Sequence, residues 1–233
     1  MTQTIALVTG ANKGIGFETV RRLAELGWTV WLGARDAELG KAAVARLEGD
    51  VRLVSLDVTS DESVAGALAT VEAESGRLDV LVNNAGIGGT WADAAETRPA
   101  DFLPVYGVNV LGPVRVTSAF LPLLRRSAAP RLVMVSSGMG SFGITTDPDR
   151  LESTLHGLVY PSSKAALNMI TSQYAKALTG VRVHAVDPGY TATDLNGHRG
   201  VQTVEEGAEA VVQACTRDDL AGVFVDRVGS VPW

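Results

Sequence analysis

The chain has 233 residues, 46% of them hydrophobic, with a formal net charge of -6 at pH 7 and a pI near 5.1. This length and apolar content can build one buried α/β core, so we predict a single domain over residues 1–233 instead of two. An acidic chain with no run of lysine or arginine argues against nucleic acid and anionic membranes as partners and favours a small molecule.

Short apolar runs alternate with segments of helical periodicity along most of the chain. Strands are predicted, in chain order, at residues 4–8, 29–32, 52–56, 80–82, 132–135 and 182–186. The helical periodicity falls at residues 16–26, 38–47, 62–74, 110–125, 160–178 and 206–216. Strands joined by helical crossovers are parallel, and right-handed crossovers place helices on both faces of the sheet. We therefore predict an α/β fold with a doubly wound Rossmann sheet.

Two of the predicted helices begin with the spacing of a capping box. The pairs are Thr59 with Glu62 and Thr203 with Glu206. In such a box each side chain bonds a backbone amide that would otherwise lack a partner at the helix start. The sequence therefore predicts that Thr59 and Thr203 are helix caps.

The sequence predicts neither a membrane segment nor a leader. No segment approaches the roughly 18 consecutive apolar residues that a membrane helix needs. The N-terminal run Met1-Thr2-Gln3-Thr4 leads directly into the first predicted strand and lacks the charged and apolar regions of a signal peptide. We expect a cytoplasmic protein without membrane contact.

A glycine-rich loop follows the first predicted strand and opens the first predicted helix. Glycine permits a tight turn there and lets a phosphate approach the backbone amides at the positive end of a helix. The spacing is G-x-x-x-G-x-G, which departs from the G-x-G-x-x-G dinucleotide fingerprint, and a purely structural turn is the alternative. The candidate cofactor-binding residues of this loop are Gly10, Asn12, Lys13, Gly14, Ile15 and Gly16.

Arg35 stands at the end of the second predicted strand, where an acidic residue would bind an unmodified ribose. Its guanidinium can bind a 2′-phosphate with two hydrogen bonds, and Lys13 in the glycine loop can add a second positive charge. Both residues favour NADP(H) over NAD(H). The alternative is that Arg35 is solvated and paired with Asp36.

Tyr160 and Lys164 are four residues apart in a predicted helix, so they lie on the same helix face. A lysine ammonium near a phenol favours the ionised phenol and so lowers its pKa. That brings a group whose ordinary pKa is about 10 closer to the working pH of a general acid or base.

Taken with the glycine loop and the Tyr160/Lys164 pair, further stretches occur in strand order along nearly the whole chain. They are Asp57-Val58, Asn83-Asn84-Ala85-Gly86, Asn109, Ser136-Ser137, Pro188-Gly189-Tyr190-Thr191-Ala192-Thr193 and Val231-Pro232-Trp233. With these residues the chain resembles the short-chain dehydrogenase/reductase family, in its carbonyl-reductase-like branch. Several weak motifs in the correct order and strand context make the resemblance specific.

The resemblance implies a catalytic set of four residues. Tyr160 would be the acid/base, and Lys164 would lower its pKa and hold the nicotinamide ribose. Ser137 would hydrogen-bond the reacting oxygen, where negative charge develops. Asn109 would anchor a water that relays protons to Lys164, although a capped or kinked helix would also explain an asparagine there.

The resemblance also implies cofactor contacts outside the glycine loop. Asp57 with Val58 would contact adenine, Asn84 would lie along the cofactor, and Thr191 and Thr193 would hold the carboxamide and pyrophosphate region. The alternatives are a loop carboxylate, a polar turn and ordinary loop hydroxyls. The remaining candidate cofactor-binding residues are Ala85, Gly86, Pro188 and Gly189, beside Tyr160 and Lys164 themselves.

These observations predict an NADP(H)-dependent reductase of a ketone or aldehyde, or a dehydrogenase of the matching alcohol. The alternatives are a non-catalytic NADP-sensing regulator and an epimerase or dehydratase on the same fold. No cluster has metal-ligand spacing, so we predict no metal. Substrate, physiological direction and the choice between monomer and homo-oligomer stay open.

Ser137 and Tyr160 are 23 residues apart, more than is usual in the family the chain resembles. We expect segment 138–159 to form an extra segment over the active site. Six apolar residues are candidates for a substrate pocket. They are Trp91, Met139, Phe142, Leu155, Tyr190 and Leu195.

Overall fold

Seven parallel strands form one sheet across residues 3–233, the part of the chain that the computed structural model describes. Met1 and Thr2, part of the run that predicts no signal peptide, lie outside the described residues. The strands are β1 (Ile5–Val8), β2 (Thr29–Ala34), β3 (Asp50–Ser55), β4 (Val80–Asn83), β5 (Arg131–Val135), β6 (Arg182–Val186) and β7 (Phe224–Val225). Their order is β3-β2-β1-β4-β5-β6-β7, which confirms the predicted doubly wound sheet.

Helices cover both faces of this sheet. They are α1 (Gly14–Glu25), α2 (Ala37–Val44), α3 (Asp61–Ser75), α4 (Pro99–Tyr106), α5 (Gly112–Leu124), α6 (Phe142–Thr145), α7 (Val159–Ala177) and α8 (Val204–Thr216). Apolar residues of α1, α2 and α8 pack in one core with one side of the strands. Those of α3, α5 and α7 pack in a second core on the other side, as alternating side chains of buried strands require.

Three elements were absent from the sequence prediction: the four-residue helix α6, helix α4 and strand β7. Helix α4 begins at Pro99 and contains Pro104, and a proline inside a helical pattern predicts a break. Strand β7 has two residues, too few to show a period. Both lie where tertiary packing outweighs the local pattern.

One predicted cap is confirmed and the other is wrong. The Thr203 hydroxyl accepts from the Glu206 amide at 3.2 Å, and the Glu206 carboxylate accepts from the Thr203 amide at 2.9 Å. Helix α3, in contrast, is capped by Ser60, whose hydroxyl accepts from the Ser63 amide at 3.1 Å. Thr59 lies one residue before this cap. Its hydroxyl donates to the Asp57 carboxylate and does not cap the helix.

Helices α4 and α5 are continuous through a π-helical turn at Gly107–Leu111, and together they span Pro99–Leu124. By length and composition this helix could cross a membrane, with a mean hydropathy of 1.3, whereas the sequence predicted no such segment. Half of the apolar window is buried inside the protein. Its apolar character is that of a core helix, which α5 supplies to the second core.

The crevice that matters for function opens between β1 and β4. These central strands are neighbours. Strands β2 and β3 lie on the β1 side of the sheet, and strands β5, β6 and β7 lie on the β4 side. Ligands of such sheets bind outside the carboxyl ends of the strands at this switch point. The loops that follow β1, β4, β5 and β6 all begin at this edge of the sheet, where the carboxyl ends of the strands lie.

Candidate active site

The glycine loop joins β1 to α1 at the β1/β4 crevice. Gly10 and Gly14 have φ values of 62° and 58°, in the left-handed region that favours glycine. Helix α1 has Lys13 as its N-cap, and its first turn has neither a side-chain cap nor an acidic residue. The open amides and the helix dipole therefore present a positive end to the crevice, which suits a phosphate.

Asn84 fastens this loop to the end of β4. Its backbone amide donates to the Thr9 hydroxyl at 3.0 Å, and its side-chain amide donates to the carbonyls of Thr9 at 2.8 Å and Gly10 at 3.2 Å. A Cβ at Gly16 would lie 2.4 Å from that side-chain nitrogen, and one at Gly10 would lie 2.8 Å from Ala85 Cα. Asn84 and Ala85 thus pack closely on the glycine loop and fix its shape.

Arg35 directly follows β2 and is exposed at the far end of the crevice. Among residues 3–233 no carboxylate oxygen lies within 4.0 Å of the Arg35 guanidinium, and one oxygen of Asp36 instead caps α2 by accepting from the amides of Glu38 at 2.9 Å and Leu39 at 3.0 Å. Hydrogen bonds from Thr59 lower the pKa of Asp57, and the charge of Arg35 lowers it further. The Arg35 guanidinium is therefore available to an anion.

Asp57 and Val58, the predicted adenine contacts, follow β3. One carboxylate oxygen of Asp57 accepts from the amide of Thr59 at 2.8 Å and from its hydroxyl at 2.7 Å. Val58 is buried, and a Cβ at Gly112 would lie 2.8 Å from its Cγ2. Thr59 occupies one oxygen of Asp57, and the Val58 side chain is buried. Contact with adenine therefore stays a prediction, for which the backbone and the second Asp57 oxygen remain available.

The ammonium of Lys13 is bound by Asp194 at 2.6 Å, in the loop after β6. His198 binds the other oxygen of Asp194 at 2.8 Å, and all three side chains are exposed. Sequence reasoning gave Lys13 to the ribose phosphate beside Arg35. It could not foresee a partner 181 residues away, which takes one of the three hydrogen bonds that the Lys13 ammonium can donate.

Tyr160 and Lys164 lie at the start of α7, as predicted, and the end of β5 brings Ser137 to them. The Lys164 nitrogen is 5.7 Å from the centre of the Tyr160 ring. It is buried and donates to the Val135 carbonyl at 2.8 Å. A Cβ at Gly140 would lie 2.6 Å from the Lys164 carbonyl carbon, so the segment after β5 packs directly on α7.

Burial controls the protonation of this pair. It raises the pKa of Tyr160 to about 12, while the hydrogen bond with Ser137 acts in the opposite direction and the charge of Asp187 adds to the rise. Burial also lowers the pKa of Lys164 to about 8, against the effect of Asp187. The predicted lowering of the phenol pKa by Lys164 is therefore outweighed, because both groups are desolvated and the ammonium is bound at Val135.

Asn109 lies in the π-helical turn between α4 and α5 and is fully buried. Its side chain accepts from the Ile87 amide and donates to the Ile87 carbonyl, both at 2.9 Å. A Cβ at Gly86 would lie 3.5 Å from Asn109 Oδ1 and 3.7 Å from Lys164 Nζ, so these two atoms border one space. A relaying water needs such a space, and π-helical turns are frequent at functional sites.

The loop after β6 supplies the remaining predicted residues. Gly189, after Pro188, has a φ of 72°. Thr191 is buried and its hydroxyl donates to the Pro188 carbonyl at 3.1 Å, so its side chain serves the turn. Thr193 lies over the glycine loop, with its Cγ2 3.6 Å from where a Cβ of Gly14 would be. Of the two threonines, Thr193 is the one that lies next to the glycine loop, where a phosphate is predicted to bind.

A cavity of about 910 Å³ opens between loop 91–94, segment 139–158 and the start of α7, where Pro161 and Ser162 line it but Tyr160 itself does not. Residues of segment 138–159 thus form one wall of this cavity, and their position over an active site stays a prediction. The ring of Trp91 is 6.1 Å from that of Tyr160, centre to centre. The apolar residues of the wall include Trp91, Met139, Phe142, Leu155, Leu158 and Pro161. Of the predicted pocket residues, Tyr190 and Leu195 lie outside the cavity wall.

Two carboxylates near this centre had no role in the sequence prediction. Asp187 directly follows β6, is buried, and accepts from the Gly189 amide at 2.9 Å. Glu152 lies in the cavity wall. A Cβ at Gly138 would lie 2.9 Å from an oxygen of Asp187 and 3.3 Å from one of Glu152. An acid between a buried strand and Pro188 was the available signal for Asp187.

A glycine loop at the switch point and a buried tyrosine–lysine pair face each other across one edge of the sheet. Fold and site together define the class: an oxidoreductase that binds a nicotinamide dinucleotide.

Comparisons with known proteins give the family. The family model described as short chain dehydrogenase matches residues 4–203. The chain is 37% identical to a short-chain dehydrogenase of Penicillium roqueforti, with 97% of this chain and 95% of that protein covered. It is 35% identical to (+)-neomenthol dehydrogenase of Arabidopsis thaliana, with 97% of both covered. NADPH-bound carbonyl reductase from chicken fatty liver aligns over 100% of both chains, with a TM-score of 0.86 and 28% identity. The chain therefore belongs to the short-chain dehydrogenase family, as its motifs predicted.

Proposed function

We propose that this chain is an NADP(H)-dependent reductase of a bulky, largely apolar ketone or aldehyde, or the dehydrogenase of the matching alcohol. The observation that carries the proposal is the buried phenol of Tyr160, which lies beside Ser137 and Lys164 and whose ring packs near Trp91, in the wall of a largely apolar cavity of about 910 Å³. The cofactor, when bound, exchanges a hydride with the carbonyl carbon of the substrate.

Tyr160 acts as the acid in the direction of reduction. Since burial raises the pKa of its phenol to about 12, the protonated form is present at neutral pH, and it can protonate the oxygen on which charge develops. Ser137 stabilises that charge by donating a hydrogen bond. Lys164 and Asn109 border the space beside Gly86 through which a proton returns to the phenol.

The residues present fit a nicotinamide dinucleotide with a 2′-phosphate. The open start of α1 suits the pyrophosphate, and Arg35 offers its guanidinium where the adenosine ribose arrives. Asp36, the acid that follows Arg35 in the chain, is engaged as the cap of α2. Lys13 adds a second positive charge, which its ion pair with Asp194 partly offsets. The similarity to an NADPH-bound carbonyl reductase supports this choice.

The cavity wall supports an apolar substrate of some size. Trp91 packs against segment 138–159, where a Cβ at Gly157 would lie 2.8 Å from its ring. A tryptophan, a methionine and a phenylalanine in one wall can bury large apolar groups, while Glu152 and His156 in the same wall can hydrogen-bond a polar substituent. The relative named (+)-neomenthol dehydrogenase supports an alcohol or ketone as the reacting group.

The test is the oxidation of NADPH, and of NADH in parallel, with ketones and aldehydes of increasing apolar size. We expect kcat/KM to rise with size and to be at least about tenfold higher with NADPH, a difference of about 1.4 kcal/mol. NADPH binding without turnover of any carbonyl compound, or of alcohols with NADP⁺, would instead favour the nucleotide-sensing regulator. A preference for NADH would refute the cofactor assignment alone.

A further inference from the structure

Lys164 is a buried cation whose hydrogen-bond acceptor carries no charge. Its nitrogen donates to the Val135 carbonyl, and its residue is only 4% exposed. Among residues 3–233, no carboxylate oxygen lies within 4.0 Å of this nitrogen. A buried ammonium loses its hydration, so it stays charged only where an opposite charge offsets that loss.

Asp187 lies where it can supply that charge. In the parallel pairing of β5 with β6, Val135 is opposite Val186, and Asp187 follows directly. The strand ends therefore bring the acceptor of Lys164 and the carboxylate of Asp187 together. Asp187 is 7% exposed, and one of its oxygens lies against Gly138, in the same segment that packs on α7 through Gly140.

The other charged groups facing Asp187 leave Lys164 as its cation. Burial raises the pKa of Asp187, and so do the charges of Glu152, in the turn at Leu151–Thr154, and of Asp226, after β7, while hydrogen bonds from the amides of Gly189 and Gly138 lower it. Asp226 is engaged by the amides of Val228 at 2.7 Å and Gly229 at 2.8 Å. Tyr160 and Lys164 are the titratable groups on α7 that the charge of Asp187 reaches.

We propose that Asp187 is a positioning residue: its buried carboxylate is the counter-ion that keeps the Lys164 ammonium charged and held at the Val135 carbonyl. Its effect on catalysis rests on the proposed function, in which the charged lysine holds the ribose. The directions of the pKa shifts agree, since Asp187 raises the pKa of both Lys164 and Tyr160. It thereby extends the pH range in which the lysine is charged and the phenol protonated.

The test is Asp187→Asn, which removes the charge and keeps an oxygen that can accept from the Gly189 amide. The pKa of Lys164 is read by NMR titration of protein labelled with ¹³C at lysine Cε. Only four lysines are present, and Lys164→Arg assigns the signal. We expect a midpoint near 8 in the wild type and one lower by at least about one pH unit in the variant. For the reaction, the alkaline fall of kcat/KM for reduction should move to lower pH in the same variant.

Asp226→Asn is the matched control, since it makes the same change at an acid on a neighbouring element, and it should not lower the midpoint. An unchanged midpoint in Asp187→Asn, or an equal fall in the control, would make Asp187 a cap of the Pro188–Gly189 turn and overturn the proposal. If Asp187→Asn fails to fold, Asp187→Ser tests the removal of the same charge. The titration needs neither cofactor nor substrate, so its result is independent of whether the chain reduces ketones.

Discussion

The Lys164 ammonium is bound to the carbonyl of Val135 at 2.8 Å, on the neighbouring strand β5, and not to the phenol one helical turn before it. The centre of the Tyr160 ring lies 5.7 Å from the same nitrogen. The two residues share a helix face but have separate polar partners. Substitutions at the two positions should therefore have separable effects.

Tyr160→Phe should keep cofactor binding and lower turnover by at least about a hundredfold, the low end for loss of a positioned proton donor. The ring that contacts Trp91 is retained, so only the hydroxyl is lost. The measurement is steady-state NADPH oxidation together with the NADPH dissociation constant by fluorescence. Turnover near the wild-type value would remove Tyr160 from the mechanism.

Lys164→Met should change how stability depends on pH. Burial lowers the pKa of Lys164 from 10.5 to about 8, so between these values the unfolded chain binds more protons at this site than the folded chain does. This contribution to stability therefore rises with pH between 8 and 10.5. We expect the free energy of unfolding, wild type minus variant, to grow by about 1 to 2 kcal/mol between about pH 8 and pH 10 in urea titrations.

Lys176→Met is the control for that experiment, because Lys176 is an exposed lysine on the same helix. Its difference from the wild type should not grow over the same pH range. A flat difference for Lys164→Met would show that its ammonium is not desolvated in the folded protein.

Arg35→Asp should reverse the cofactor preference. It removes a charge-assisted contact to the 2′-phosphate and sets a carboxylate against it, while offering the ribose hydroxyls an acceptor. The ratio of kcat/KM for NADPH to that for NADH should fall by at least about a hundredfold, about 2.7 kcal/mol. Arg35→Ala, which removes the contact without the repulsion, should give a smaller fall.

Arg125→Asp makes the same change of charge at an exposed arginine that follows α5, away from the crevice. It should leave the ratio unchanged. If it lowers the ratio as much as Arg35→Asp does, the preference comes from the overall charge of the protein and not from a contact at Arg35.

Trp91→Ala should lower kcat/KM selectively for bulky substrates. Trp91 contacts Tyr160 and forms part of the cavity wall, so its loss removes apolar contact area for large ketones only. We expect kcat/KM for a bulky cyclic ketone to fall at least about tenfold, and that for a small aldehyde to change less. Trp233→Ala is matched to it, since both residues are 47% exposed and Trp233 stacks on Phe224 outside this wall. Equal losses for large and small substrates would argue against a wall role for Trp91.

The sequence by itself determined the fold class and the outline of the site. Alternating apolar runs and helical periods predict a doubly wound sheet because side-chain periodicity is a local property of each element. The glycine loop and the Tyr160/Lys164 pair are equally local, since a tight turn and one helical turn are set by neighbours in the chain. Their position at one edge of the sheet follows from the topology alone.

Only the tertiary structure decided what those residues contact and how they ionise. Lys13 bonds Asp194, and the ammonium of Lys164 bonds Val135, across separations that no local pattern records. The pKa of Tyr160 rises instead of falling because its value depends on burial and on the charge of Asp187, contributed by distant segments. Desolvation and long-range pairing exist only once the chain has folded. The sequence could therefore predict which residues form the site, but not their contacts or their pKa values.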